Sequence, residues 1–164
     1  MNTVRWLPEM IPLSAFSGNW EKYRDGLYKL FCQDFKNGKV EFRGEQIFLR
    51  IYPFEEGKEA SFWHCISEGE VEQDRIIDTE RCKRIRWPKS MITHDGNVDL
   101  KIWQNTRKGC LNYLLLVERE RYLVVIRFKK GKWQLWTTYL ATYNHTLEKW
   151  LHEFNEYIKN NAAV

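Results

Sequence analysis

The chain has 164 residues, 43 % hydrophobic and 15 % aromatic, with eight Trp and a formal net charge of +4 from 26 Lys plus Arg against 22 Asp plus Glu. One domain is the expectation at this length, with roughly two-thirds of the unfolded surface buried on folding, and the mild basic excess permits a nucleic-acid partner without selecting one. Cys32, Cys65, Cys82 and Cys110 form no C-x-x-C pair and no zinc-ligand spacing, no secretory leader opens the chain, and no apolar run reaches membrane-spanning length; a cytoplasmic protein with reduced thiols, no metal, no cofactor and no membrane partner is expected.

The first sixteen residues, with prolines at 8 and 12, read as an extended segment lying on the domain. Ser17-Gly-Asn19 then supplies capping chemistry for a helix from about Trp20 to Phe35, whose Trp20, Tyr23, Leu27, Leu30, Phe31 and Phe35 fall three or four apart in one apolar stripe. Asn37-Gly38 ends it. Two strands follow, Val40–Phe42 and Gln46–Tyr52, and after a polar loop the apolar patch Ser61–Ile66 reads as a further strand carrying a single histidine, His64. Cys65 beside it makes no thiol–imidazole pair on a strand, because adjacent residues point to opposite faces.

From Thr79 to Ile92 five basic residues stand against one acid, a local +4 equal to the formal excess of the whole chain. Asp78-Thr79 caps a helix there, with Arg81 and Arg84 as surface neighbours and Trp87-Pro88 placed to kink or stop it. Glu55-Glu56 and the acidic run from Glu68 to Asp74 repel a polyanion, so a nucleic-acid surface is expected to avoid those loops. Val98–Trp103 alternates as a strand. The runs Tyr113–Val117, Tyr122–Phe128 and Trp133–Tyr139, divided by short polar breaks, read as an antiparallel meander. The last element is a helix capped by Asn144 or Thr146, with Leu147, Trp150, Leu151, Phe154, Tyr157 and Ile158 in a strict helical stripe, before a frayed tail at 160–164.

The expected architecture is α+β: N-terminal helices and a C-terminal helix packed on one face of a central antiparallel sheet, in a single domain. The other face is then open, with a geometry suited to RNA: cations for phosphates and aromatic rings for bases.

The helix pattern Trp20-x-x-Tyr-x-x-x-Leu-Tyr-x-x-Phe31, then Phe62-Trp-His64, the run Arg75-x-x-Asp-x-x-Arg-x-x-Arg-Ile-x-Trp87, Val98–Trp103, and Tyr122–Ile126 leading to Leu135-Trp-Thr-Thr-Tyr139 together form an order of motifs. In that order the chain resembles the phage-associated branch of the barnase–EndoU–colicin–RelE nuclease group, over about residues 20 to 158. The resemblance implies a toxin-like, metal-independent endoribonuclease in which the RNA's own 2′-hydroxyl attacks the adjacent phosphate. It implies His64 as base or acid, Arg81 and Arg84 as a phosphate clamp, and Thr138 with Tyr139 as positioning hydroxyls. Arg86, Trp87, Trp103, Arg127 and Trp136 are the expected RNA contacts. The implied partners are a tRNA or mRNA substrate and an antitoxin or immunity protein. A catalytically inert nucleic-acid-binding module and a protein-interaction module are the alternatives on the same fold.

Overall fold

The computed structural model describes residues 4–162. Its centre is the meander: β5 (Lys101–Arg107), β6 (Cys110–Val117), β7 (Tyr122–Lys129) and β8 (Lys132–Leu140), each antiparallel to the next. The sequence pattern puts this strand at Val98–Trp103; β5 instead starts at Lys101 and runs on through Gln104–Arg107, and its turn is Lys108-Gly109, where both residues take positive φ. Before the meander come β1 (Glu41–Phe42) and β2 (Glu45–Leu49), which complete a six-stranded sheet of order β1-β2-β8-β7-β6-β5. β2 runs parallel to β8, so the sheet is mixed and not wholly antiparallel as expected. A long crossover makes that pairing accessible, since 82 residues lie between Leu49 and Lys132, far more than the dozen or so that two strands need to lie side by side in the same direction.

The crossover holds most of the remaining elements: α2 (Ala60–Ile66), a small hairpin of β3 (Ser67–Glu68) and β4 (Ile76–Ile77), α3 (Thr79–Cys82) and α4 (Trp87–Thr93). α1 (Trp20–Phe35) precedes the sheet and α5 (Asn144–Asn161) follows it. The α1 bounds match the sequence expectation, and the Asn19 side chain accepts the Lys22 amide as its cap. The opening segment is not simply extended: Leu13–Phe16 is a turn of 3-10 helix, and Trp6 stacks on His94 at 4.5 Å between ring centroids. Of the expected tail, Asn160 and Asn161 belong to α5, which starts with Tyr143 as its N-cap residue rather than from a side-chain cap at Asn144 or Thr146; residues 163–164 lie outside the described residues.

Two corrections concern secondary structure. Ser61–Ile66 is helical, not a strand: six of the seven α2 residues are buried, so apolar side chains surround it and the alternation that would reveal its period is absent. The basic stretch from Asp78 is two short helices, not one. Asp78 caps the first through the Glu80 and Arg81 amides, and Pro88 sits in the first turn of the second, where a missing N–H costs nothing.

The helices also cover both faces of the sheet. On one, α1 to α4 pack Tyr23, Leu27, Phe31, Phe62, Ile66, Ile85 and Met91 against Leu115, Val117, Tyr122, Val124, Ile126 and Leu135. On the other, Leu147, Trp150, Leu151 and Phe154 of α5 meet Trp103, Leu114, Leu116, Leu123 and Val125. The unbroken runs Leu114–Val117 and Leu123–Ile126 are what a strand buried on both faces requires, and they argue against the open face expected from the meander alone. α5 shields only part of its face. Past Trp103, Leu114 and Val125, the same face continues as Asn105, Asn112, Arg127 and Gln134, aligned across four strands in register.

Candidate functional site

The site lies where β8 loses its neighbour. β2 pairs with β8 only as far as Leu49 opposite Leu135, and beyond that point α2 and α3 pack along the exposed strand edge. An edge of free carbonyls needs donors. Ser61 Oγ donates to Leu135 O at 2.5 Å and the Arg81 guanidinium to Thr138 O at 2.9 Å, while Arg81 also donates to Ser67 O at 2.7 Å and lies 3.4 Å from Asp78 Oδ2.

Between those two tethers sits His64, on α2. Its Nδ1 is 3.2 Å from Thr137 Oγ1, and its Nε2 lies 3.0 and 3.1 Å from the two oxygens of Glu72 and 3.3 Å from Arg50 Nη1. Burial pushes the imidazole down to about 4, with the charges of Arg75 and Arg50 adding to the effect and Glu72 opposing it. The ring is therefore neutral at pH 7. A carboxylate only accepts, so the proton is assigned to Nε2, donating to Glu72, and Nδ1 accepts from the Thr137 hydroxyl. Glu72 itself is half-exposed and lines a groove of about 450 Å³ together with Trp63, Ser67 and Arg75.

A neutral buried imidazole has a consequence for stability. Above about pH 6.5, the ordinary His value, neither folded nor unfolded chain holds the proton. Between there and about 4 the unfolded chain takes it up and the folded chain does not. Stability falls with pH across that window, by at most about 1.4 kcal/mol per pH unit from this one group, and the loss ends below it. Urea midpoints of wild type and His64→Asn are expected to converge as pH is lowered from 7 to 5; parallel curves would show that His64 carries its proton in the folded state.

Arg50, the first residue after β2, joins this cluster to an aromatic one. Its guanidinium carbon is 4.0 Å from the centre of the Trp136 ring, and Arg127 and Lys129 approach the same ring at 4.6 and 5.1 Å. Trp136 reaches them because β8 is irregular there: Val125 pairs with Thr137 and Ile126 with Leu135, which leaves Trp136 as an extra residue in a β-bulge. Among the described residues neither Arg127 nor Lys129 has a carboxylate partner. Arg50 has one acid nearby, Glu72 at 3.9 Å, so three cations gather on one ring with a single carboxylate beside them, and an anion relieves their repulsion.

Of the residues expected from sequence, the structure brings His64, Arg127 and Trp136 into one neighbourhood. Tyr139 stands further along β8, exposed, with Arg81 5.5 Å from its ring and Trp150 of α5 at 6.3 Å. The others are engaged within the fold. Arg81 is 5 % exposed and Thr138 is wholly buried, so neither presents a group to a phosphate. Arg84 donates to the Glu80 carbonyl and stacks on Trp87; Arg86 pairs with Asp34 at 2.9 Å. Trp87 and Trp103 are 3 % and 0 % exposed, their indole N–H groups donating to Pro8 O and Glu153, so no base stacks on either. Cys65 is fully buried and its thiol is pushed up to about 12, which leaves it inert as a nucleophile. The sequence alone singles out neither Arg50, Lys129 nor Thr137, and it puts Glu72 in an acidic run that repels RNA.

Among the described residues no three His, Cys, Asp or Glu side chains gather as a metal ion would need, and no helix is long and apolar enough to cross a membrane. A comparison of the chain with protein-family models finds no match, and neither curated proteins nor solved structures yield one.

Proposed function

We propose that the protein binds RNA through the Arg50–Arg127–Lys129 cluster on Trp136 and cleaves it without a metal, by attack of the 2′-hydroxyl on the adjacent phosphate, as expected for a toxin-like member of the nuclease group that the sequence resembles. The observation that carries this reading is the position of Arg50, whose one guanidinium touches both the cation cluster on Trp136 and the His64–Glu72 pair.

The reaction needs no protein nucleophile. Glu72 takes the 2′-hydroxyl proton; the 2′-oxygen bonds to phosphorus; the 5′-oxygen leaves and recovers a proton from the same carboxyl group, so one residue serves both halves of the transfer. Arg50 meets the charge that grows on the non-bridging oxygens, in a half-buried position where solvent screens it less. His64, with both nitrogens engaged, is a positioning residue: it fixes Glu72 from one side and is itself fixed by Thr137. RNA reaches this edge along the cationic half of the α5 face, where the phosphates find Arg127 and Lys129.

The same full engagement of His64 favours a second reading, RNA binding without cleavage. Incubating the purified protein with total RNA in excess EDTA separates the two. Wild type is expected to cut, and to lose affinity steeply as salt rises. Salt-dependent binding with intact RNA, at protein concentrations near the RNA's, would leave the binding module; absence of binding would remove both.

A further inference from the structure

We propose that Arg127 is a pre-set phosphate clamp, its guanidinium held in place by a relay of side-chain hydrogen bonds that starts on α5 and crosses three strands. The proposal deepens the RNA-binding reading and rests on it for the source of the phosphate.

The relay begins at Glu153. Its Oε2 accepts from Arg107 at 3.0 Å, and its Oε1 accepts from Trp103 Nε1 at 3.1 Å and from Asn105 Nδ2 at 2.5 Å. Asn105 Oδ1 accepts from Asn112 Nδ2 at 2.9 Å, and Asn112 Oδ1 accepts from Arg127 Nε at 2.8 Å. Both ends fix the direction. A carboxylate only accepts and a guanidinium only donates, so each of the two intervening amides has a single orientation that satisfies both of its neighbours. Asn112 is 2 % exposed, where an unpaired amide is costly, and this excludes the flipped arrangement.

The relay uses Nε and leaves Nη1 and Nη2 of Arg127 without a partner among the described residues, on a half-buried side chain beside the Trp136 ring. Two parallel N–H groups on a plane whose rotation is stopped at Nε form the fork that takes two oxygens of one phosphate. The neighbouring cations, Arg50 and Lys129, select an anion over a neutral base edge. Asn105, Asn112 and Glu153 touch no ligand in this scheme; they are positioning residues, and holding the fork still lowers the entropy lost on binding.

The test uses the full chain with two probes, a short fluorescein-labelled single-stranded RNA and inorganic tripolyphosphate, each titrated over a range of salt. Arg127→Ala is expected to weaken RNA binding about tenfold and to reduce the salt slope by the roughly 0.7 that one single-strand phosphate contact contributes. Arg127→Lys keeps the charge, so the slope returns while most of the affinity does not. Asn105→Ala and Glu153→Ala, remote from the phosphate, are expected to weaken binding several-fold with the slope of wild type; melting temperatures are taken alongside, because a merely structural role moves those and leaves the affinity of the folded protein unchanged.

Wild-type affinity in Arg127→Lys would overturn the fork, and wild-type affinity in both Asn105→Ala and Glu153→Ala would overturn the relay, in either case with the RNA-binding reading intact. The same variant pattern with tripolyphosphate but no binding of RNA would uphold the clamp and remove RNA as its ligand. Failure to bind either probe would overturn the clamp.

Discussion

Glu72→Gln is expected to reduce RNA cleavage by about 10²- to 10⁴-fold, the range lost when a positioned general base is removed, while leaving RNA binding equal or slightly tighter. Glutamine has the shape of glutamate, and its carbonyl still accepts from His64 Nε2, so the hairpin between β3 and β4 keeps its contact with α2. What the amide loses is the capacity to take a proton. It also removes one negative charge 3.9 Å from Arg50, which leaves the cation cluster more attractive to phosphate. A fall in kcat with KM unchanged or lowered marks an interaction used in the transition state and not in binding. Cleavage at the wild-type rate would remove Glu72 as the base and move the chemistry to another group on the β8 edge, with Tyr139, exposed on that strand, the catalytic candidate from the sequence that stands there in solvent.

How much of this was legible without coordinates depends on the range of the interactions concerned. Local signals held. The stripe of α1, the Asn19 cap, the β6–β7–β8 meander and the stripe of α5 are written within windows of a few turns, where side-chain period and turn residues act directly. The elements misread are those whose pattern is set by distant neighbours. α2 is surrounded by apolar side chains, so its helical period is masked. β2 pairs in parallel with a strand that lies a whole crossover away. For the site, the resemblance implies His64, Arg127 and Trp136, and they converge. It implies Arg81, Thr138, Trp87 and Trp103 equally, and the core absorbs them, because an order of motifs does not separate a cation or an indole on the surface from one satisfied inside. Glu72 shows the opposite error. An acidic run does repel a polyanion, but one carboxylate turned inward onto an imidazole and a guanidinium is a different object from the run it belongs to.

Arg81→Met is expected to lower stability by about 3–5 kcal/mol, read as a fall in the urea midpoint, with RNA affinity of the folded protein unchanged at low temperature. The side chain donates to Ser67 O, on β3, and to Thr138 O, on the uncovered edge of β8, and its Nε faces Asp78, the cap of α3. It thus ties three elements at the place where the sheet has no neighbouring strand to satisfy its carbonyls. Methionine fills much of the volume and supplies no donor, so the Thr138 carbonyl loses its guanidinium donor at about 1–3 kcal/mol, the Ser67 carbonyl keeps only Arg75, and Asp78 loses its counter-charge. Arg81→Lys restores the charge but only part of the two-carbonyl contact, so an intermediate midpoint is expected. The outcome separates two roles that sequence alone gives equally to a basic residue on a short helix. A phosphate-clamping Arg81 would cost binding and leave the urea midpoint near wild type, because a side chain working in solvent supports little of the fold. A tether does the reverse, and 5 % exposure with both acceptors on the backbone is the geometry of a tether.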